Sequence, residues 1–393
     1  MSTSPALRRS SSPHVARRRR WQGPPGLLPA LALASALRLA GVAAVAVIDH
    51  ALGRSTTTSL AHSWDSVWYL HIAEHGYGTR FRVVGGAVQT DWAFFPLYPE
   101  LIRALRDVVP VSPGQAGLLI AWGAAALAAC GVYVVGHHLH GRAVATALVL
   151  LWASLPHSVV LGLAYTEPLF TACAAWSLYA VLKGRWLTAG ALAALAGLTR
   201  PSGIAVAVAV VVAAACEVVR RRGRVPGRLW IGAGVAPLGW VGYVLWVGRR
   251  TGDLFHGYFR VQSAWNSRLD FGAGSLRFVK ALLLHGGRVA FPVAVLVVAV
   301  SVLLFCLLCL ERPPPALVVF AGVLLLLVLA VSGPFSSKPR FLVPAFPLLI
   351  PPARAIVRAW CSSPARAVLV GGTLAAMSLA YGAYLAVLGH EPL

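Results

Sequence analysis

Acidic residues are scarce in this chain: 12 in 393, against 34 Lys and Arg, for a formal charge of +22. Charged residues of both signs make up only 12% of the sequence, while hydrophobic residues make up 58%. A water-dissolved globular protein carries about twice that share of charge, so the shortage excludes one. Lysine is nearly missing as well, since arginine supplies 31 of the 34 basic residues. With Ala, Val, Leu and Gly dominating the rest, this is the imprint of a GC-rich genome, and a bacterial source is expected. The six cysteines (130, 173, 216, 306, 309 and 361) lie in or beside apolar runs, which excludes a disulfide-stapled scaffold. Cys306 and Cys309 have redox-motif spacing but sit inside an apolar run, where helix packing is the plainer reading. The chain has no Walker loop, HExxH, GxSxG or Asp-x-Asp pair, so the usual phosphate-loop, zinc-protease, esterase and metal-nucleotide chemistries have no motif to rest on. His137, His138 and His140 have no carboxylate or cysteine nearby in sequence, and no metal or cofactor is expected. The arginines are scattered through short turns rather than gathered in a soluble domain, which argues against nucleic-acid binding.

What is present is apolar sequence at membrane length. Windows of about 17 to 23 residues predict eleven spans near 27–48, 114–136, 143–161, 165–182, 186–199, 201–219, 229–248, 289–310, 316–332, 341–357 and 366–388. An all-α polytopic membrane protein of about 11 transmembrane helices is expected, with residues 1–26 as a disordered basic cytoplasmic tail and 27–388 as the multispanning domain. Arg17 to Arg20 place the N-terminus inside, and Arg142, Lys183, Arg185, the Arg220 to Arg228 cluster, Arg312, Arg354, Arg358 and Arg366 then fall on the same side. By that count the large first loop, 49–113, the second loop, 249–288, the turns at Glu167, Arg200 and Lys338/Arg340, and the terminus 389–393 all face outward. No internal repeat of the transporter kind is present.

Five of the 12 acids, Asp65, Glu74, Asp91, Glu100 and Asp107, fall between residues 64 and 113 of the first loop. If residues 64–75 form a helix, Trp64, Trp68, His71, Ile72 and His75 share a face with Asp65 on its flank, and Glu74 points the other way. That aromatic stripe suits a helix lying in the membrane interface, and it equally suits stacking on sugar rings. Glu167, the only acid between Asp107 and Glu217, either caps the next helix through its dipole or orients Arg200 or a substrate hydroxyl. Arg200, before Pro201, either snorkels or serves a site. Lys338, Arg340 and the Arg249-Arg250 pair sit at loop boundaries, where guanidinium forks fit phosphate oxygens and anionic headgroups alike.

Trp64-Asp65, Trp68-Tyr69, Ile72-Ala73, Gly76-Tyr77 and Ala93-Phe94-Phe95-Pro96-Leu97-Tyr98-Pro99 resemble the signature of the PIG-V family, the GPI mannosyltransferase 2 proteins and their bacterial relatives. Further blocks follow in order: Tyr165-Thr166-Glu167, Leu198-Thr199-Arg200, Val261-Gln262 with Trp265, and Pro339-Arg340-Phe341. The sequence departs from the family pattern at Pro168 and at Pro201-Ser202. The resemblance implies a GT-C glycosyltransferase fold whose first outer loop carries a catalytic aspartate and whose donor is a polyprenyl-phosphate sugar. The expected activity is inverting transfer of a hexosyl unit, most simply mannosyl, to a hydroxyl on a glycolipid or protein acceptor at the extracytoplasmic face of the cell membrane. Asp65 would be the general base. Trp64, Trp68, Tyr69, Trp92, Glu167, Arg200, Gln262, Trp265, Lys338 and Arg340 would bind substrate. The rivals are an arabinosyl or glucosyl donor for the same fold, or a non-enzymatic lipid or solute transporter, which would put charges at mid-membrane depth.

Overall fold

A computed structural model describes residues 24–82 and 88–389. The expected basic tail 1–26 therefore lies outside the described residues except for Pro24, Pro25 and Gly26, as does 389–393 except for Gly389. The fold is helical, with one small two-stranded sheet among the described residues.

Among the described residues, six helices are long and apolar enough to cross a membrane: Leu27–Ala51, Pro113–Ala153, Pro201–Arg220, Gly227–Thr251, Ala290–Leu310 and Pro364–Val387. The pair Phe335–Leu342 and Phe346–Ser362, bent by 76°, makes a seventh if counted as one crossing. The expected eleven spans are thus not eleven full-length helices. Glu167–Leu182, Trp186–Gly197 and Pro315–Ala330 have 16, 12 and 16 residues, and at about 1.5 Å per residue the shortest falls well below a hydrocarbon core of about 30 Å. Glycine and proline explain most of the difference. Gly141, at φ 82, breaks Pro113–Ala153; a Cβ on Gly136 would meet the Ala145 Cα at 3.0 Å, so the chain doubles back there. That turn keeps the windows 114–136 and 143–161 as two arms. The second arm stops at Ala153, before Pro156, and a 3-10 turn at Ser158–Leu161 follows. Pro237 divides Gly227–Val235 from Leu238–Thr251. The window 341–357 yields helix only from Ile350, after prolines at 339, 344 and 347 withhold their amide donors.

The start of Pro113–Ala153 shows how local sequence sets a boundary. Ser112 Oγ accepts from the Gln115 amide at 3.2 Å, Gln115 Oε1 accepts from the Ser112 amide at 3.0 Å, and Pro113 opens the first turn. Small residues let the helices approach: Gly190 faces Gly232, and Gly239 faces Ala194, at separations where a Cβ would strike a carbonyl.

The first loop is a folded layer. It contains Thr56–Ala61, Asp65–His75, an antiparallel pair Arg80–Arg82 and Val88–Thr90 in register Phe81 with Gln89, a 3-10 turn Asp91–Ala93, and the amphipathic helix Leu97–Val108. Tyr98, Pro99 and Ile102 of that last helix turn inward. The second loop adds Gly257–Ala264 and Ala273–His285. Tyr69, Ile72, Phe95, Tyr98, Tyr243 and Tyr258 form a buried aromatic and aliphatic core that joins the two loops to Leu238–Thr251. A larger core of Ala, Val and Leu holds the bundle.

Candidate active site

Asp65 is the first residue of the helix Asp65–His75, where the helix dipole favours a carboxylate. The residue before it, Trp64, is held at φ 47 and ψ −112, a backbone region an L side chain adopts only under constraint. Glu167 repeats the arrangement as first residue of Glu167–Leu182. The arginines come from irregular backbone: Arg200 is extended ahead of Pro201, and Arg340 lies in the 3-10 segment Phe335–Leu342.

These four residues, from four separate segments, meet. Arg340 Nη2 donates to Asp65 Oδ2 at 2.5 Å. Arg340 Nε lies 3.7 Å from Glu167 Oε1, and Arg200 Nη1 lies 2.9 Å from the same oxygen. Two carboxylates and two guanidinium groups cancel, which is what allows charge to be buried. The side chains of Glu167, Arg200 and Arg340 are 3%, 6% and 7% exposed, whereas that of Asp65 is 34% exposed. Asp65 is thus the member within reach of a substrate. Phe341 lies between the cations, its ring 5.1 Å from the Arg200 guanidinium and 4.8 Å from that of Arg340, with Tyr165 5.3 Å from Arg340 on another side. Arg340 Nε and Nη1 and Arg200 Nε and Nη1 have no aligned hydrogen-bond acceptor, although Arg200 Nη1 is close to Glu167. Donors in that state are suited to anionic oxygens.

The other expected site residues divide into two groups. Trp64 stays exposed beside Asp65. Tyr69 is buried, its phenol pushed above its ordinary range by burial, and its hydroxyl lies 3.4 Å from Thr166 Oγ1, which ties the loop helix to the Glu167 turn. Trp68 packs against Phe94, Trp265 and Phe81. The buried face of its helix is Ser66, Tyr69, Leu70, Ile72 and Ala73; of the stripe drawn from the sequence only Ile72 is buried, while Trp64 and His75 stay exposed. Trp265 Nε1 donates to Thr90 O at 3.0 Å, and Gln262 Nε2 donates to Ala93 O at 3.0 Å. Both side chains therefore pin the two loops together. Trp92 lies under Arg80. Lys338 donates to Ser275 Oγ, Val328 O and Val331 O, which fastens the second loop to the end of Pro315–Ala330. Glu74, as expected, is apart from Asp65 and faces Arg106 at 3.7 Å.

Tyr165, Phe341 and Asp91 are named from the sequence but not proposed there as site residues. Tyr165 and Phe341 adjoin the Glu167 turn and Arg340 in sequence, and an aromatic flanking a buried charge is the signal that was available. Asp91 is fully buried and accepts from the Gly78 and Thr79 amides at 2.9 to 3.1 Å, so one of the five loop acids shapes the hairpin base.

No protein-family model matches the chain. Over 155 residues the chain is 31% identical to GPI alpha-1,6-mannosyltransferase 2 of Mus musculus, a match covering 36% of this chain and 29% of that protein. The matched part is thus less than a third of the relative's length. The structure is similar to ArnT from Cupriavidus metallidurans bound to undecaprenyl phosphate, with a TM-score of 0.55 and 14% identity over 93% of this chain and 77% of that one. It is also similar to the same protein in the apo state, with a TM-score of 0.51 and 15% identity over 82% and 71%. The helical architecture and these similarities bear out the expected resemblance: the chain has the GT-C fold that ArnT has, with sequence similarity to GPI mannosyltransferase 2.

Proposed function

We propose that the chain is a membrane glycosyltransferase that moves a hexosyl unit, mannosyl in the first instance, from a polyprenyl phosphate to a hydroxyl acceptor at the extracytoplasmic face, with inversion. The observation that carries this reading is the half-exposed Asp65 bound to the buried Arg340. In the reaction the acceptor oxygen bonds to the anomeric carbon as the bond from that carbon to the phosphate oxygen breaks. Asp65 takes the hydroxyl proton, and the lipid phosphate leaves with the bonding pair. Such a leaving group needs no protonation, so one carboxylate suffices where a glycosidase needs two. It gathers about two negative charges, which the Arg340 guanidinium offsets electrostatically while Nη2 holds Asp65 in place. Arg200 adds a second cation through Glu167. Preorganised donors of this kind contribute most where charge develops. The undecaprenyl phosphate bound to ArnT supports a lipid-phosphate ligand for this fold.

A transporter is disfavoured because the charged quartet centres on helix starts and 3-10 turns, with its carboxylate opening beside a loop layer. The test is to give purified protein in nanodiscs a panel of mannosyl, glucosyl and arabinosyl polyprenyl phosphates, and GDP-mannose. Transfer from the mannosyl lipid, surviving EDTA, is expected. Transfer from GDP-mannose alone, or full dependence on added metal, contradicts the proposal.

A further inference from the structure

A cleft opens in the loop layer, and none of Asp65, Glu167, Arg200 and Arg340 lines it. Its volume is about 380 Å³, it is widely open to solvent, and its walls include Arg80, Thr90, Trp92, Arg250 and Arg260. That falls in the size range of sites for small organic ligands. Three arginines from three elements line it: Arg80 on the first strand, Arg250 in the last turn of Leu238–Thr251, and Arg260 in Gly257–Ala264. Their local countercharge is small. Arg260 Nη2 is paired with Asp253 at 2.6 Å, while among the described residues no carboxylate pairs with Arg80 or Arg250. Those two instead lie over tryptophan rings, Arg80 5.6 Å from Trp92 and Arg250 5.4 Å from Trp246. Stacking holds their planes while leaving the N–H edges free.

Three cations against one acid, in a cavity with an indole wall, select for negative charge on a ring-bearing ligand. The cleft is also coupled to the Asp65 helix through a short chain of contacts. Thr90, on its wall, holds Trp265 by the 3.0 Å bond to its carbonyl, and Trp265 packs on Trp68, one turn along from Asp65. We propose that this cleft is a second ligand site that binds a phosphate or carboxylate group on the saccharide headgroup of the acceptor, holding it beside the catalytic layer. The assignment to the acceptor rests on the transferase reading, whereas the anion binding does not.

Binding is therefore measured without turnover, by calorimetry on the full chain in nanodiscs of zwitterionic lipid, with glucose 6-phosphate as the anionic probe and maltose as the neutral one. Wild type should bind the sugar phosphate and not maltose. The combined substitutions Arg80→Gln, Arg250→Gln and Arg260→Gln should raise its Kd at least about tenfold, while Arg340→Ala and Asp65→Asn leave it within about twofold. Should the triple variant fail to fold, Arg250→Gln alone, on an exposed helix end, should raise the Kd about threefold. Repeating the titration in discs that contain phosphatidylglycerol separates the sources of the anion. Competition by the lipid supports a lipid-borne headgroup, and undiminished binding supports a soluble-headed acceptor. Equal binding of maltose, an unchanged Kd in the arginine variants, or a Kd that follows Arg340 instead would overturn the site. Loss of transfer in an otherwise anion-binding protein would count against the transferase reading and leave the cleft intact.

Discussion

Arg340→Ala separates the catalytic from the structural role of the charged quartet. The substitution removes the 2.5 Å bond to Asp65 and the 3.7 Å contact with Glu167. Glu167 keeps Arg200 at 2.9 Å and stays compensated. Asp65, with 34% of its side chain exposed, can rehydrate. The fold should therefore lose less than the roughly 3 to 5 kcal/mol typical when a fully buried pair is broken, and about 1 to 2 kcal/mol is expected. Catalysis loses more: one preorganised donor aimed at developing negative charge is worth about 2.7 to 4 kcal/mol, or about 10² to 10³ in kcat. Arg340→Lys keeps the charge but cannot hold Asp65 and a phosphate through one planar fork, so an intermediate loss of about tenfold is expected. Arg200→Ala, whose one carboxylate partner among the described residues is Glu167, should also cost about tenfold. The assay is single-turnover transfer from radiolabelled polyprenyl-phosphate mannose, with a thermal melt on each variant. An Arg340→Ala enzyme that is folded and within about threefold of wild type would refute the reasoning.

Glu167→Gln leaves Arg200 and Arg340 facing a neutral partner in a buried site, and should lower stability by about 3 to 5 kcal/mol; an unchanged melting temperature would show the cluster to be hydrated. Gly239→Ala places a Cβ 1.9 Å from Ala194 O and Gly190→Ala places one 2.1 Å from Gly232 O, so each should cost at least about 1 to 3 kcal/mol. Gly234→Ala meets nothing within 4 Å and should be silent in the same melts; equal effects at all three positions would mean the helices do not pack through these glycines. For sidedness, single cysteines at Thr57 and Arg224, in a background lacking the native six, should label and resist labelling respectively with an impermeant thiol reagent in intact cells. The reverse pattern would place the Asp65 loop on the cytoplasmic side.

The sequence was most legible where hydropathy and chemistry coincide. Every apolar window overlaps a helix, and the block around Asp65 pointed to the site because acids are so rare elsewhere. Hydropathy did not show that several windows are too short or too interrupted to cross alone, since averaging over about 19 residues smooths over Gly141, Pro237 and the prolines from 339 to 347. The pairing of Asp65 with Arg340 spans 275 positions and follows from tertiary geometry alone; sequence could nominate both but not join them. Lys338 illustrates the converse. Beside Arg340 it reads as a phosphate ligand, yet its three donors satisfy carbonyls at the end of Pro315–Ala330 and Ser275. A lysine two residues from a site residue points elsewhere when the backbone is a 3-10 turn.

The central claim is that Asp65 removes the acceptor proton. Its most direct test is the transfer rate of Asp65→Asn at saturating polyprenyl-phosphate mannose and acceptor, in a preparation whose folding and donor binding match wild type. The amide keeps size and most hydrogen bonding but cannot act as the base. A fall in kcat of at least about 10², with Glu74→Gln near normal, is the predicted result. Near-normal turnover by folded Asp65→Asn would contradict the account.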